Sequence, residues 1–192
     1  MIKVERQKYW GKNYLAYCQG DSIPVPFERY LDLFKGKNVL EVGPGEGRQF
    51  DAVIDLVSTC SVADISATVL ANERYEKCYR FLIQDYKTWF GTKYDLIHFW
   101  YVLHHVAFDE VNDFFHFLSN HLKEDGCILF NTPMLSGHPD SFKDDGMQTT
   151  PFLIGDILAA LQWDFEVITK DVTNQTNSNG MVIYARKRNG LA

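Results

Sequence analysis

Hydrophobic and polar positions along the chain alternate between strand-like and helix-like patterns. Residues 38–42 (NVLEV) form an apolar, β-branched run that is typical of a strand buried on both faces. Three glycines follow it, at Gly43, Gly45 and Gly47. Residues 48–57 then place apolar side chains at helical spacing, at Phe50, Val53, Ile54 and Val57. The pattern predicts a strand, a glycine turn and a helix.

The same alternation continues to the C-terminus. Further strands are predicted at 60–66, 78–85, 94–100, 127–132, 165–172 and 181–187. Helices are predicted between them at 67–76, 109–123 and 152–161. The last two strands follow each other without a helix, which indicates an antiparallel hairpin. We therefore expect an α/β fold of three layers, with a seven-stranded, mostly parallel sheet and an antiparallel last strand.

Composition and charge narrow the class of protein. The chain has 192 residues, 46% hydrophobic and 23% charged, which favours one globular domain. No apolar stretch is long enough for a membrane span, and the first residues do not resemble a signal peptide. The four cysteines form no CxxC pair and are expected to be structural thiols in a reducing cytoplasm. A net charge of −6 argues against a nucleic-acid partner.

Two acidic residues end consecutive predicted strands. Asp64 follows Gly47 at nearly the spacing at which an acid meets ribose hydroxyls in nucleotide-binding α/β folds. Asp85 ends the next strand and could accept a hydrogen bond from an exocyclic amine such as that of adenine. Taken singly, Asp64 could be a helix cap and Asp85 a turn residue. Together with the glycine turn, they indicate a nucleoside site.

The spacing of the glycines discriminates between nucleoside ligands. Dinucleotide-binding turns have the pattern GxGxxG, which allows a pyrophosphate to lie at the helix N-terminus. This chain instead has GxGxG, and Glu46 adds a negative charge close to the predicted helix start. A ligand with a ribose and an adenine but without phosphates therefore fits better.

These stretches resemble the motifs of class I S-adenosylmethionine-dependent methyltransferases of the small-molecule type. The likeness covers most of the chain, in the order expected for the family, at 39–47, 63–66, 84–86, 94–97, 102–106 and 121–130. It implies the Rossmann-like methyltransferase fold as a single domain of residues 1–192. The implied cofactor is S-adenosyl-L-methionine, with S-adenosyl-L-homocysteine as product.

The resemblance also implies roles for single residues. Gly43 and Gly45 would let the main chain approach the methionine part of the cofactor, and Asp64 would hold both ribose hydroxyls. The remaining cofactor-binding candidates are Glu41 and Pro44 in or before the loop, Ile65 on one adenine face, Asp85 and Tyr86 at the adenine amine, and the Phe99 carbonyl at the ammonium group.

The sequence defines the residues that would bind the methyl acceptor less clearly than those that would bind the cofactor. Methyl transfer depends chiefly on alignment, and a base is needed only for a hydroxyl or protonated amine. The candidate bases are His104, His105 and His138, each of which could instead only shape its turn. No acid cluster suggests a metal. We expect residues 1–37 to form a helical lid, and aromatic residues to line the acceptor site at Tyr9, Trp10, Tyr14, Trp100 and Tyr101.

The expected reaction is O- or N-methylation of a small molecule or glycan. Two other functions are kept open. One is a non-catalytic subunit that binds S-adenosylmethionine, and the other, disfavoured by the glycine spacing, is a nicotinamide-dependent oxidoreductase. The sequence defines neither the acceptor nor the oligomeric state.

Overall fold

The computed structural model describes residues 27–83, 92–133, 152–175 and 178–189. These residues form a seven-stranded sheet in the order β3-β2-β1-β4-β5-β7-β6. Its strands are β1 (Asn38–Val42), β2 (Thr59–Asp64), β3 (Tyr79–Leu82), β4 (Tyr94–Phe99), β5 (Leu122–Pro133), β6 (Phe165–Gln175) and β7 (Ser178–Lys187). The α-helices are α1 (Arg48–Val53), α2 (Ala67–Leu70), α3 (Val111–Asn120) and α4 (Ile154–Leu161). Short 3₁₀ helices span Phe27–Phe34, Glu73–Tyr75, Leu103–His105 and Phe108–Glu110.

The chain divides after Thr92 into two compact units, which we call the N-terminal and C-terminal units. In the N-terminal unit, β1 pairs in parallel with β2, and β2 pairs in parallel with β3. A cluster of buried side chains packs beside these strands, comprising Phe50, Cys60, Val62, Val69, Leu70 and Tyr75. Strand β1 is covered on both faces, which explains why Val39, Leu40 and Val42 are apolar and buried.

The C-terminal unit contains the reversal of direction predicted from the sequence. β4 and β5 are parallel, whereas β7 is antiparallel to both β5 and β6. Its core is rich in phenylalanine: Phe99 stacks on Phe130 at a ring-centroid distance of 4.7 Å, and Phe115 packs on Phe130 at 5.6 Å. Phe115 reaches this core because α3 is amphipathic and buries Val111, Phe115 and Leu118 on one face.

The predicted fold class is confirmed, but several element boundaries were wrong. The predicted helix 67–76 is interrupted at Asn72, whose backbone is extended and whose side chain caps Arg74 at 3.0 Å. Helix α1 ends at Val53 rather than 57, because the next residues form a turn in which the Leu56 N–H donates to the Val53 carbonyl. Asparagine competes with the helical backbone through its own amide, which accounts for the first interruption.

The boundary between α3 and β5 also differs from the prediction. The helix occupies Val111–Asn120 rather than 109–123, and β5 begins at Leu122 rather than 127. The Tyr94 N–H donates to the His121 carbonyl at 2.9 Å, so pairing with β4 starts before the predicted Asp125 turn. A shift in register between Tyr94 and Leu96 accommodates Asp125, whose φ is 60°.

The predicted lid, residues 1–37, is described only from residue 27 onwards. Phe27–Phe34 forms a 3₁₀ helix that buries Phe27, Tyr30 and Phe34. The single domain of residues 1–192 and the lid both stay predictions. Among the helices in the described ranges, none combines the length and the apolar character that crossing a membrane would require.

The phenylalanine core of the C-terminal unit yields a test of the fold. Replacing the fully buried Phe115 by alanine should lower the free energy of unfolding by about 3–5 kcal/mol, because it leaves a large cavity. Phe108→Ala is the matched control: that side chain is 59% exposed, so the loss should be about 1 kcal/mol or less. Urea unfolding followed by circular dichroism measures both, and equal losses would contradict the proposed core.

Candidate functional site

The glycine turn after β1 has the conformation that only glycine adopts readily. Gly43, Gly45 and Gly47 have φ values of 67°, 53° and 80°, all in the left-handed region. The Gly47 N–H donates to the Pro44 carbonyl at 2.8 Å and closes the turn. The Gly43 N–H donates to the Ala63 carbonyl at 2.7 Å, so the start of the turn is tied to β2. The predicted glycines therefore do define the backbone of a tight turn.

Asp64 is the last residue of β2 and lies one position beyond this hydrogen bond. Its side chain is only 8% exposed, and its Oδ1 accepts the Ser66 N–H at 2.8 Å. Burial raises the pKa of Asp64 to about 7, although the backbone N–H groups of Ser66 and Ile65 oppose the shift. Asp64 thus does not cap α2, since Ser66 has that role through its own hydroxyl.

Glu41 is a second buried carboxyl in the same unit. It lies within β1 and is 2% exposed. Burial is the main cause that raises the pKa of Glu41 to about 8, with Cys78, Asp51 and Asp64 adding negative charge. Buried carboxyl groups with raised pKa values are enriched at functional sites, which agrees with the position of Glu41 two residues before the glycine turn.

Two residues that the sequence analysis missed bind the glycine turn, and both belong to the 3₁₀ helix Glu73–Tyr75. The Tyr75 hydroxyl donates to the Gly45 carbonyl at 2.9 Å. The Arg74 guanidinium donates to the Glu46 carbonyl at 2.5 Å and pairs with Asp51 at 2.7 Å. No motif marks these residues, because they come from the 3₁₀ turn after α2 and meet the loop only in three dimensions.

The same contacts explain why residue 47 is glycine. A Cβ added there would lie 2.8 Å from the Tyr75 hydroxyl and would also collide with the Arg74 side chain. The left-handed φ adds strain for any other residue. Gly47 therefore serves close packing of the turn against its support.

In the C-terminal unit, the residues after β4 form a second distinctive turn. Tyr101 has a φ of 55°, which is uncommon for a bulky side chain. Its N–H donates to the Asn131 Oδ1 at 2.6 Å, which fixes the turn to β5. Trp100 is buried, whereas Tyr101 is 37% exposed. Asn131 was not among the predicted site residues, although the sequence shows it at the end of strand five.

Burial lowers the pKa of two histidines of this unit, His98 and His104. Burial, followed by the charge of His105, holds the pKa of His104 well below its usual value. The rings of His104 and His105 lie 3.8 Å apart, and the His104 Nδ1 is buried without a hydrogen-bond partner among the described residues. Burial lowers the pKa of His98, within β4, to about 3. Phe99 ends β4 with its side chain in the core, which leaves its predicted role to the backbone carbonyl.

The other predicted site residues lie outside the described ranges. They are Asp85 and Tyr86 of the cofactor set, the catalytic candidate His138, and Tyr9, Trp10 and Tyr14 of the acceptor set. Within the described part of the chain, no group of three or more His, Cys, Asp or Glu side chains could hold a metal ion.

Comparison with solved structures shows the same fold at low sequence identity. The 1,6-didemethyltoxoflavin-N1-methyltransferase of Burkholderia thailandensis is 16% identical, with a TM-score of 0.76 over 97% of this chain and 88% of that chain. The magnesium protoporphyrin IX methyltransferase ChlM of Synechocystis PCC 6803 is 15% identical, with a TM-score of 0.73 over 98% of this chain and 100% of that chain.

A third solved structure is the N-methyltransferase NodS of Bradyrhizobium japonicum WM9, which is 12% identical. Its TM-score is 0.70 over 93% of this chain and 98% of that chain. A search of curated proteins by sequence found no match.

A family model gives the assignment. The model for the methyltransferase domain matches residues 20–172, which is most of the chain and includes β1 to β5. The family suggested by the order of the sequence motifs is thereby confirmed, and the two other functions kept open from the sequence receive no support. The chain belongs to the methyltransferase domain family.

Proposed function

We propose that this methyltransferase transfers the methyl group of S-adenosylmethionine to a small molecule by in-line displacement. The observation that supports it most is the buried Asp64 carboxyl, one residue beyond the hydrogen bond that joins Gly43 to Ala63. A carboxylate and an open glycine backbone at the carboxyl ends of adjacent parallel strands are what a nucleoside ligand requires.

The Asp64 carboxyl fits the ribose of the cofactor chemically. A carboxylate has about four acceptor positions, and among the described residues two backbone N–H groups, from Ser66 and Ile65, use them. The positions left are sufficient for two hydroxyl donors. Ribose hydroxyls would also favour the ionised form of a group whose pKa burial has raised.

The glycine turn would hold the methionine part through its backbone. Side chains are absent at Gly43 and Gly45, so a ligand can approach the main chain there. Tyr75 and Arg74 hold the carbonyls of Gly45 and Glu46 and keep the turn from relaxing. When bound, the cofactor supplies a sulfonium methyl group as the electrophile. The protein contributes by alignment, which is worth roughly 7–11 kcal/mol in well-oriented reactions.

Among the candidate bases, His104 has the best support. Burial lowers its pKa, so its ring is unprotonated over the physiological pH range, as a general base must be at the start of the reaction, although the same burial makes it a weaker base than free imidazole. Its buried Nδ1 is not engaged by another described residue. The strained Tyr101 turn, three residues earlier, supports a functional role for this segment, because such strain persists where function needs it.

A small-molecule acceptor is supported by the solved neighbours. The Burkholderia enzyme was crystallised with 1,6-didemethyltoxoflavin and S-adenosylhomocysteine, and ChlM with S-adenosylhomocysteine. The net charge of −6 also disfavours a nucleic-acid acceptor. A glycan acceptor and a cytoplasmic location stay predictions, as do the roles of Asp85, Tyr86, His138 and the N-terminal aromatic residues.

The first test removes the Asp64 charge. Asp64→Asn should weaken S-adenosylhomocysteine binding by about 1–3 kcal/mol, because an amide oxygen is a weaker acceptor for two hydroxyls than a carboxylate. Isothermal titration calorimetry at pH 8 measures the loss. Asp113→Asn, an exposed change on α3, is the control and should bind as the wild type does. Equal affinity of all three proteins would remove Asp64 from the site.

The second test uses the pH dependence of the same binding. The folded, ligand-free protein holds a proton on Asp64 below about pH 7, and the ligand favours the carboxylate, so binding must release that proton. Affinity should therefore fall as the pH decreases from 8 to 6, by up to about tenfold per pH unit. Glu41 also titrates near this range, so the comparison with Asp64→Asn isolates Asp64. The same pH slope in both proteins would contradict the assignment.

The third test concerns the support of the glycine turn. Tyr75→Phe removes the hydroxyl that donates to Gly45 and should weaken S-adenosylhomocysteine binding by about 1 kcal/mol while the protein stays folded. The matched control is Tyr79→Phe, since Tyr79 lies at the start of β3 and is 71% exposed. Calorimetry together with a thermal melt separates the two effects. Unchanged binding by Tyr75→Phe would show that the turn does not depend on it.

The fourth test addresses the base. His104→Gln should lower kcat by at least about a hundredfold with an acceptor that loses a proton, and leave S-adenosylhomocysteine binding intact. His105→Gln is the neighbouring control and should retain most activity. Product formation is measured as S-adenosylhomocysteine release with the best acceptor from a panel of phenols, amines and heteroaromatic N–H compounds. Loss of activity in the His105 variant alone would reverse the assignment.

A further inference from the structure

Two cysteines that are far apart in the sequence become neighbours in the N-terminal unit. Cys60 is the second residue of β2, and Cys78 directly precedes β3. These strands are parallel with Ser61 opposite Tyr79. One residue earlier in each segment, Cys60 is therefore opposite Cys78. Neighbouring strands are about 4.8 Å apart, within the Cα separation of about 4.4–6.8 Å that a disulfide needs.

The side chains of the pair belong to one packed group. Cys78 packs against the buried cluster that contains Cys60, and each thiol is close enough to shift the pKa of the other. Both are free thiols in this structure. The pairing was not foreseen from the sequence, where the cysteines were interpreted as separate structural thiols.

The two thiols differ in environment, which gives them different reactivity. Cys60 is buried, and its thiol also contacts the Ser61 carbonyl at 3.7 Å. The hydrogen bond with Cys78, followed by burial, raises the pKa of Cys60. The same hydrogen bond, aided by the charge of Arg80, lowers the pKa of Cys78 from its usual value. Cys78 is the thiolate-forming partner.

An opening in the protein surface leads to the pair. A cavity of about 240 Å³ is lined by both cysteines together with Ile54, Val57, Ser58, Thr59, Lys77 and Tyr79. Cys78 is partly exposed and lines the cavity, so a small reagent can reach it, whereas Cys60 is buried next to it as a second thiol. The cavity is at the start of β2 and Asp64 is at the other end of that strand, so the pair lies away from Asp64, although the charge of Cys78 reaches Glu41 of the neighbouring strand.

We propose that Cys78 and Cys60 form a peroxide-reactive dithiol site, in which Cys78 attacks and Cys60 resolves. The Cys78 sulfur attacks one oxygen of hydrogen peroxide; an S–O bond forms, the O–O bond breaks, and the hydroxide that leaves is protonated to water. Cys78 is thereby oxidised by two electrons to a sulfenic acid. The Cys60 sulfur then displaces hydroxide from Cys78, which takes the Cys60 proton and leaves as a second water. One disulfide forms, and the peroxide is reduced to two waters.

The test treats the full chain with hydrogen peroxide, blocks free thiols by alkylation, and digests with trypsin without reduction. Cleavage at lysine and arginine releases Cys60 in peptide 49–74 and Cys78 in the tripeptide 78–80. Mass spectrometry should find these two peptides linked, lighter than their sum by two hydrogens. Cys127→Ser should give the same link, because Cys127 is in the C-terminal unit beside Tyr184. No link, or a link to Cys18 or Cys127, would overturn the proposal.

Two single variants test separately which cysteine attacks the peroxide and which one resolves the sulfenic acid. In Cys60→Ser, peroxide should leave a sulfenic acid on Cys78 that dimedone traps, whereas Cys78→Ser should give no dimedone adduct on Cys60. Dimedone on Cys60 of the Cys78 variant would reverse the roles, and no adduct in either variant would refute the attack step.

A measurement on the wild type keeps the proposal testable even if the variants do not fold. In the native protein at pH 7, iodoacetamide should alkylate Cys78 at least about threefold faster than Cys127, because the thiolate is the reactive form. Equal rates, or a faster reaction at Cys127, would contradict a reactive Cys78.

Discussion

The parallel register between β1 and β2 is the constraint on which the candidate nucleoside site depends. The hydrogen bond from Gly43 to the Ala63 carbonyl extends that register by one step beyond the strand. It brings the left-handed glycine turn and the Asp64 carboxyl to the same end of two adjacent strands. A shift of one residue would turn Asp64 to the other face of the sheet, since side chains alternate along a strand.

This arrangement buries two carboxyl groups in the N-terminal unit, which lowers the free energy of unfolding when they are ionised. The pKa of Glu41 is raised to about 8 and that of Asp64 to about 7, both above the values expected in an unfolded chain. At these two groups the folded protein therefore binds more protons than the unfolded chain between about pH 4 and pH 8, and their contribution to the free energy of unfolding falls as the pH rises through that range. A hydrogen-bonding ligand at Asp64 would offset part of this cost, which is the physical link between the stability of this unit and cofactor binding.

The conformation of the glycine turn depends on side chains of another element that bind its carbonyl groups. Tyr75 and Arg74 donate hydrogen bonds to two consecutive carbonyls, those of Gly45 and Glu46. Their side chains also lie so close to Gly47 that a Cβ there would collide with them. In the C-terminal unit, Asn131 has a comparable function, since its side chain accepts the N–H of the strained Tyr101. In both turns, a residue from another element fixes a backbone conformation that the local sequence alone would not maintain.

The sequence by itself determined the alternation of strands and helices, the hairpin at the end, the glycine turn and Asp64. These features depend on local periodicity and on glycine chemistry, which neighbouring residues define. Element ends such as those of α3 and β5 were not determined locally, because the hydrogen bond from Tyr94 to His121 comes from a distant strand.

Only the tertiary structure decided the partners of the turns and the pairing of Cys60 with Cys78. Tyr75, Arg74 and Asn131 lie about thirty positions from the backbone groups they bind, and no spacing in the sequence encodes such contacts. The two cysteines meet because β2 and β3 align with Ser61 opposite Tyr79. That register depends on how the whole N-terminal unit buries its apolar faces, which is a property of the folded chain rather than of any single segment.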